Sequence, residues 1–205
     1  MFDAYHNWYY DNEVWMTTTW LGVPALKSVQ DMWSYQEIIT DLQPDLIVEF
    51  GVRSGGSSLY FASILDQLGN GVVLGVDITL ENVHDKARNH PRIQLMESSS
   101  TCPEVADRIR SLRRGPVFAV LDSDHKKDHV VAELTTLTPI LRAGDYVIVE
   151  DSNINGHPIL PGWGPGPYEA IEEYLAANPQ SYRQDLDREN KFGWTFAPAG
   201  FLIRL

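Results

Sequence analysis

Five short apolar runs, each followed by an amphipathic stretch, dominate the middle of this sequence. They cover residues 45–50, 72–77, 92–97, 117–122 and 146–151. Runs that are apolar on both faces and alternate with helical patterns are typical of a parallel sheet covered by helices on both sides. The chain has 205 residues, 43% of them hydrophobic, and can bury one such core. The sequence therefore predicts an α/β fold, a Rossmann-like sandwich, formed by a single domain over residues 1–205.

Acidic residues close each of these runs. Because the carboxyl ends of parallel strands meet at one edge of an open α/β sheet, where ligands bind, we expect these acids to gather along one cleft. An acid after a strand also serves as a helix N-cap, which is the simpler explanation for any single one of them. The positions are Glu49, Asp77, Glu97, Asp122 and the pair Glu150-Asp151.

The stretch EFGVRSGGSS, residues 49–58, joins the first run to a predicted helix. It has neither the Lys-Ser/Thr ending of a P-loop nor the G-x-G-x-x-G of a dinucleotide site. Glycines such as Gly51 and Gly55 let the backbone approach a ligand, and a helix that opens at Ser57 favours a carboxylate at its N-terminus. The acid Glu49 suits a cationic group instead. S-adenosylmethionine carries both an ammonium and a carboxylate next to its ribose, and we expect it here.

Two later positions extend the predicted cofactor site. Asp77 closes the second run about 20 residues beyond the glycines, where an acid accepts the ribose hydroxyls in Rossmann sites. Ser98 begins a run of three serines after the third apolar run and is expected to meet the adenine. Asp122, at the end of the fourth run, is expected to contact both the cofactor and a metal ion.

Two acidic clusters indicate the chemistry: DSDHKKDH follows the fourth run and VIVEDSN closes the fifth. Adjacent parallel strands lie about 4.8 Å apart, so acids at their ends can share one cation. Oxygen ligands suit magnesium or calcium, and a hard dication lowers the pKa of a bound hydroxyl. His125 then supplies a base that works near neutral pH. The alternative interpretation of His125 is a surface histidine that caps a helix.

The formal net charge of −12 argues against a nucleic-acid partner, because clustered Lys and Arg supply most of the affinity for phosphate backbones. The N-terminus has no basic start followed by an apolar stretch, and no run reaches the length of a membrane span. We therefore expect a cytoplasmic protein with no membrane partner. The one cysteine, Cys102, excludes an internal disulfide and a cysteine-rich metal site.

Several segments, taken together, resemble one known family. They are WLGVPALKSVQDMWSYQEII (20–39), PDLIVEFGVRSGGSSLYFASIL (44–65), LDSDHKKDHVVAEL (121–134), VIVEDSNINGHP (147–158) and GWGPGPYEAI (162–171). These segments are similar to the cephalosporin hydroxylase family, a branch of the class I S-adenosylmethionine-dependent methyltransferases related to bacterial sugar and macrolide O-methyltransferases. The resemblance implies a seven-stranded, mostly parallel sheet with helices on both faces. It also implies a last hairpin, FGWTFA to GFLIRL, that inserts an antiparallel strand.

The resemblance also implies roles for the acidic clusters. Metal-dependent relatives hold the ion with an Asp after strand four and an acidic pair after strand five, which Asp122, Glu150 and Asp151 match. Such relatives place a catalytic Lys or His three residues beyond the first acid, where His125 stands. The pair here is Glu-Asp where catechol-type enzymes carry Asp-Asn, and Asp124 is therefore an alternative ligand.

These observations predict a magnesium-assisted O-methyltransferase that acts on a hydroxyl of a small molecule. By resemblance the acceptor is a sugar or a glycosylated natural product. Two alternatives are a component of β-lactam hydroxylation or methoxylation and a non-catalytic cofactor-binding module. Residues 1–43 are expected to form an aromatic, helical cap on the core of residues 44–205, or to pack against another subunit in a homo-oligomer. The segment 157–167 is expected to be a lid over the acceptor, or else an inert surface connection.

Overall fold

The computed structural model describes residues 2–205. The chain begins with helix α1 (Phe2–Asp11) and a single 3₁₀ turn (Val14–Thr17). A small hairpin and a long helix follow: β1 (Thr19–Trp20), β2 (Val23–Pro24) and α2 (Val29–Leu42).

The central sheet contains seven strands: β3 (Leu46–Phe50), β4 (Val72–Asp77), β5 (Ile93–Glu97), β6 (Val117–Leu121), β7 (Tyr146–Val149), β8 (Tyr182–Gln184) and β9 (Phe201–Arg204). Helices connect them: α3 (Gly56–Leu68), α4 (Asp85–Arg88), α5 (Pro103–Leu112), α6 (Lys127–Leu137), α7 (Pro167–Ala177) and α8 (Leu186–Glu189). The five predicted apolar runs are β3 to β7, each within two residues of its predicted bounds.

The strand order in the sheet is β5-β4-β3-β6-β7-β9-β8. The first five of these strands are parallel, and β9 pairs antiparallel with both β7 and β8. Strand β3 lies between β4 and β6, and the chain changes direction across the sheet there. Such a switch point leaves a crevice outside the carboxyl ends of the strands. The topology confirms the predicted Rossmann-like sandwich with a mostly parallel, seven-stranded sheet.

Alternate residues of each buried strand face opposite layers of helices. Leu46, Val48 and Phe50 of β3 pack in one core with α5, α6 and α7, whereas Ile47 packs in the other core with α2 and α3. Burial on both faces explains why β3 reads as a continuous apolar run rather than as an alternating one.

Two details differ from the sequence prediction. The antiparallel strand β9 is present, but its hairpin partner is β8 rather than the segment FGWTFA, which forms no strand. Within residues 2–43, α2 packs against the sheet, whereas α1 and the 3₁₀ turn pack in a separate cluster. No helix within residues 2–205 is long and apolar enough to cross a membrane. The cytoplasmic location stays a prediction.

Candidate active site

A cleft of about 520 Å³ opens at the switch point of the sheet. Its floor is formed by the residues that follow β3, β4, β5, β6 and β7. Seven of the predicted site residues line it: Gly51, Ser57, Asp77, Ser98, Asp122, His125 and Asp151. Three others do not, namely Glu49, Gly55 and Glu150.

Asp77 organises the glycine turn at one end of the cleft. Its Oδ2 accepts hydrogen bonds from the backbone N–H groups of Val52, at 2.8 Å, and of Arg53, at 2.9 Å. Gly51 has a φ of +87°, and a side chain there would place its Cβ 1.9 Å from the carbonyl oxygen of Asp122. Only glycine fits between these two loops, so Gly51 brings the turn after β3 against the loop after β6.

Gly55 and Glu49 support the turn from outside the cleft. A Cβ on Gly55, whose φ is +82°, would lie 2.6 Å from the side chain of Ala87, so this glycine serves packing against α4 rather than contact with a ligand. Glu49 is fully buried and accepts a hydrogen bond from Ser58 at the start of α3. Burial raises the pKa of Glu49 to about 7.

The serines after β5 form the opposite end of the cleft. Ser98, Ser99 and Ser100 all line it, and the Ser98 N–H donates to the carbonyl of Asp77 at 2.8 Å. Ser100 Oγ lies 3.1 Å from Nε2 of His129, a histidine that the sequence analysis did not assign to the site. Hydroxyl groups and an imidazole here provide donors and acceptors for a heterocycle.

A cluster of two acids and a histidine lies in the middle of the cleft. Asp122, His125 and Asp151 each offer one ligand atom, and these atoms lie within 4.8 Å of one another. His125 Nε2 is 3.2 Å from Oδ2 of Asp151. Burial and the neighbouring Asp122 carboxylate raise the pKa of Asp151. Asp151 also has a φ of +52°, a strained backbone conformation that often marks functional positions.

Lys27 lies beneath this cluster and was missed by sequence reasoning. Its Nζ is 2.5 Å from Oδ2 of Asp122 and 2.9 Å from Oε2 of Glu150, and its side chain is 2% exposed. Although burial disfavours its charge, the carboxylates of Asp122, Glu150 and Glu49 raise the pKa of Lys27. A lysine between a leucine and a serine in a loop resembles any surface lysine, so nothing in the sequence pattern pointed to this position.

The three acids that were predicted to hold a metal differ in their exposure to the cleft. Asp122 and Asp151 share the cleft, whereas Glu150 is buried behind them with one oxygen on Lys27. Its other oxygen, Oε1, is buried without a hydrogen-bond partner in the described part of the chain. Asp124 lines the cleft but contacts Lys126, whose Nζ lies 3.3 Å from Oδ2.

Apolar side chains form the walls above the cluster. Tyr10 and Trp15, whose rings stack at 5.8 Å, stand with Phe196 on the side of α1. Leu160 and Trp163 line the cleft from the segment 157–167. Trp163 is 54% exposed, which is unusual for so large an apolar ring and leaves its surface available to a ligand.

The segment 157–167 has no regular secondary structure until α7 begins, but it is held in place by Glu169 of that helix. Glu169 accepts hydrogen bonds from Asn155 at 2.9 Å and from the N–H of Gly166 at 2.7 Å. Its Oε1 also lies 2.9 Å from Nε2 of His157. Backbone and side-chain hydrogen bonds lower the pKa of Glu169 to about 2, although burial opposes this. The segment is an ordered wall of the cleft.

Comparison with known proteins gives matches along almost the whole chain. The profile of the rhamnosyl O-methyltransferase/CmcI family matches residues 12–205. The rhamnosyl O-methyltransferase of Mycobacterium tuberculosis is 55% identical over 206 residues, covering 98% of this chain and 84% of that protein. The 8-demethyl-8-alpha-L-rhamnosyl tetracenomycin-C 2'-O-methyltransferase of Streptomyces olivaceus is 31% identical over 128 residues, covering 57% of this chain and 31% of that protein.

The fold also matches solved structures. A structure of CmcI with Mg and SAM has a TM-score of 0.73 at 24% identity, covering 93% of this chain and 77% of that chain. At this identity the likeness establishes the fold alone.

Proposed function

Because the chain belongs to the rhamnosyl O-methyltransferase/CmcI family, we propose that it methylates a hydroxyl of a rhamnosyl residue on a glycosylated small molecule. The predicted family and the predicted S-adenosylmethionine-dependent O-methyltransferase are confirmed by this membership. The sugar follows from the relatives, which act on rhamnosyl acceptors by name. The 55% identity to a rhamnosyl O-methyltransferase favours this enzyme over a β-lactam hydroxylation component and over a non-catalytic module.

The end of the cleft between the glycine turn and the serines fits the methyl donor. When bound, S-adenosylmethionine supplies an electrophilic methyl group. We assign the ribose hydroxyls to Asp77, because its Oδ1 accepts only a 3.2 Å bond from the Thr79 N–H. Ser98 to Ser100 face the adenine, and the start of α3 at Ser57 faces the carboxylate. Glu49 and Gly55 shape the turn from behind rather than touch the cofactor.

The acidic cluster fits a magnesium ion. Asp122 and Asp151 offer hard oxygen donors at one place in the cleft, and the free Oε1 of Glu150 adds a third donor behind them. Lys27 balances only one of these three carboxylates, which leaves negative charge for a cation to neutralise. A Mg²⁺ ion held by these carboxylates would supply Lewis acidity that lowers the pKa of a nearby acceptor hydroxyl.

His125 is best placed to accept the proton of the acceptor hydroxyl. A hard cation prefers the carboxylates to an imidazole, so the histidine is left free to act as a base. Its 3.2 Å approach to Asp151 orients the ring, and its side chain is 32% exposed at the cleft. Proximity of the deprotonated hydroxyl to the methyl group then carries much of the acceleration.

The observation that carries the proposal is that Asp122, His125 and Asp151 lie in the same cleft as Asp77 and Ser98. A direct test incubates the protein with S-adenosylmethionine, Mg²⁺ and rhamnosides that differ in the aglycone, and measures release of S-adenosylhomocysteine. We expect turnover with rhamnosides and none with the matching glucosides. Equal turnover of both sugars would contradict a rhamnosyl acceptor while leaving the methyltransferase in place.

A further inference from the structure

Lys27 is the one buried cation at the base of the acidic cluster within residues 2–205, and no role in methyl transfer explains it. Its Nζ touches carboxylates that follow two neighbouring strands, Asp122 after β6 and Glu150 after β7. Its side chain is 2% exposed and does not line the cleft.

The backbone around Lys27 fixes the lysine in this position. The backbone N–H of Lys27 donates to Thr18 Oγ1 at 3.2 Å. The Thr18 hydroxyl in turn donates to the carbonyl oxygen of Lys27, also at 3.2 Å. The next residue, Ser28, caps α2 by accepting from the N–H of Asp31 at 3.3 Å. The hairpin β1-β2 and the start of α2 thus hold the Lys27 ammonium group beneath the edge of the sheet.

The ammonium group of Lys27 lies among several carboxylates. Asp122 follows β6, and Glu150 and Asp151 follow the adjacent strand β7. Glu49, which is fully buried in β3, adds a fourth carboxylate close to Lys27. Like charges this close repel strongly where solvent is excluded. A fixed cation between two of them allows the acids to stay assembled before any metal binds.

We propose that Lys27 is a resident cation that keeps the metal-binding acids assembled without metal and, by sharing Asp122 and Glu150, limits how tightly a divalent cation binds there. This inference rests on the proposed metal site. Lys27 is a positioning residue, because it acts through Asp122 and Glu150 and touches neither substrate nor cofactor.

The test compares Lys27→Met with the wild type, with Mn²⁺ as a probe whose binding is followed by electron paramagnetic resonance. Methionine keeps most of the side-chain volume and removes the charge. We expect Lys27→Met to bind Mn²⁺ at least tenfold more tightly, because the metal then neutralises the acids alone. Its melting temperature should fall in EDTA and recover with Mn²⁺, whereas that of the wild type should change little.

The matched control is Lys126→Met. Lys126 lies 3.3 Å from Asp124 at the same cleft but is 79% exposed, so solvent screens its charge and Mn²⁺ affinity should stay within about twofold. An equal gain in Lys126→Met would reduce the effect to net charge and contradict a specific role of Lys27.

Three further outcomes of the Lys27→Met experiment also test the inference. If Lys27→Met does not fold, the double variant Lys27→Met/Glu150→Gln should fold, because it removes the charges of both partners. If neither variant folds, the lysine side chain is needed for packing rather than for its charge, and the inference is overturned. Unchanged Mn²⁺ affinity in a folded Lys27→Met would also overturn it. If the wild type binds no Mn²⁺ and Lys27→Met does, the inference stands and the magnesium part of the proposed function fails.

Discussion

The carboxylate of Asp77 both stabilises the glycine turn and lines the cleft. Its Oδ2 takes the two backbone donors of the turn. We expect Asp77→Ala to weaken S-adenosylmethionine binding by about 1.5 to 3 kcal/mol, the scale of a hydrogen bond to a charged group. Titration calorimetry measures this change. Asp77→Asn, which keeps an oxygen for the turn, should lose less affinity.

The melting temperature of Asp77→Ala separates two explanations for that loss. Loss of affinity with a preserved melting temperature assigns Asp77 to the ligand, whereas a large fall in melting temperature assigns part of the effect to the turn. Full affinity in a folded Asp77→Ala protein would remove Asp77 from the cofactor site.

His125 is the second residue whose role is testable by itself. We expect His125→Ala to lower the rate of methyl transfer by about 10² to 10⁴, the usual contribution of a positioned base, with little change in S-adenosylmethionine affinity. Raising the pH should restore part of the rate, because hydroxide can take the proton instead. His90→Ala, which does not line the cleft, is the control. A wild-type rate in His125→Ala would exclude His125 as the base.

At the scale of elements, the sequence predicted strands β3, β4, β6 and β7 well because their residues are buried on both faces and form continuous apolar runs. The partner of β9 was missed, since β8 has one buried residue, Tyr182, and two exposed ones and so carries little apolar signal. Residues of the site that follow strands were predictable for the same reason as the strands. Lys27 was not, because its burial depends on acids about 95 and 123 positions away in the chain.

Helix α1 packs on the rest of the protein through two buried side chains, His6 and Tyr9. The His6 ring stacks on Phe196 at 5.5 Å between centroids and lies tilted against Trp194 at 4.6 Å, and its Nε2 lies 2.9 Å from Nδ2 of Asn153. Burial lowers the pKa of His6 from 6.5 to about 4. The folded protein therefore keeps this imidazole neutral in a pH range where the unfolded chain protonates it.

The sign of the resulting pH dependence follows from linkage. Above pH 6.5 both states are neutral at His6 and its contribution to stability is complete. Between about pH 6.5 and 4 the unfolded chain takes up a proton that the folded protein does not, so stability falls as the pH falls. The full loss is on the order of 3 kcal/mol, at about 1.4 kcal/mol per pKa unit.

We expect His6→Gln to remove this dependence. The quantity to measure is the difference in free energy of unfolding between wild type and variant at several pH values from 7 to 4. A difference is needed because Asp31, whose pKa burial raises to about 6, gives the opposite slope in both proteins. A constant difference across that range would show that His6 titrates normally in the folded protein.

At the scale of the whole molecule, the order of strands divides the cleft into two halves. The residues assigned to the methyl donor follow β3, β4 and β5, and the acids assigned to the metal follow β6 and β7 on the other side of the switch point. The two halves are in contact at Gly51 and Asp122. The backbones approach so closely there that a Cβ on Gly51 would collide with the Asp122 carbonyl.

This division predicts that removing metal separates binding from catalysis. We expect EDTA followed by dialysis to abolish methyl transfer while S-adenosylmethionine affinity changes by less than about threefold, because the donor's own contacts lie on the other strands. Asp151→Asn should reproduce the effect of EDTA, and added Mg²⁺ should restore the wild type but not the variant. Loss of S-adenosylmethionine binding in EDTA would mean that the two halves are coupled. Full activity after exhaustive dialysis would leave the methyltransferase without a metal requirement, with Lys27 as the cation that the acids need.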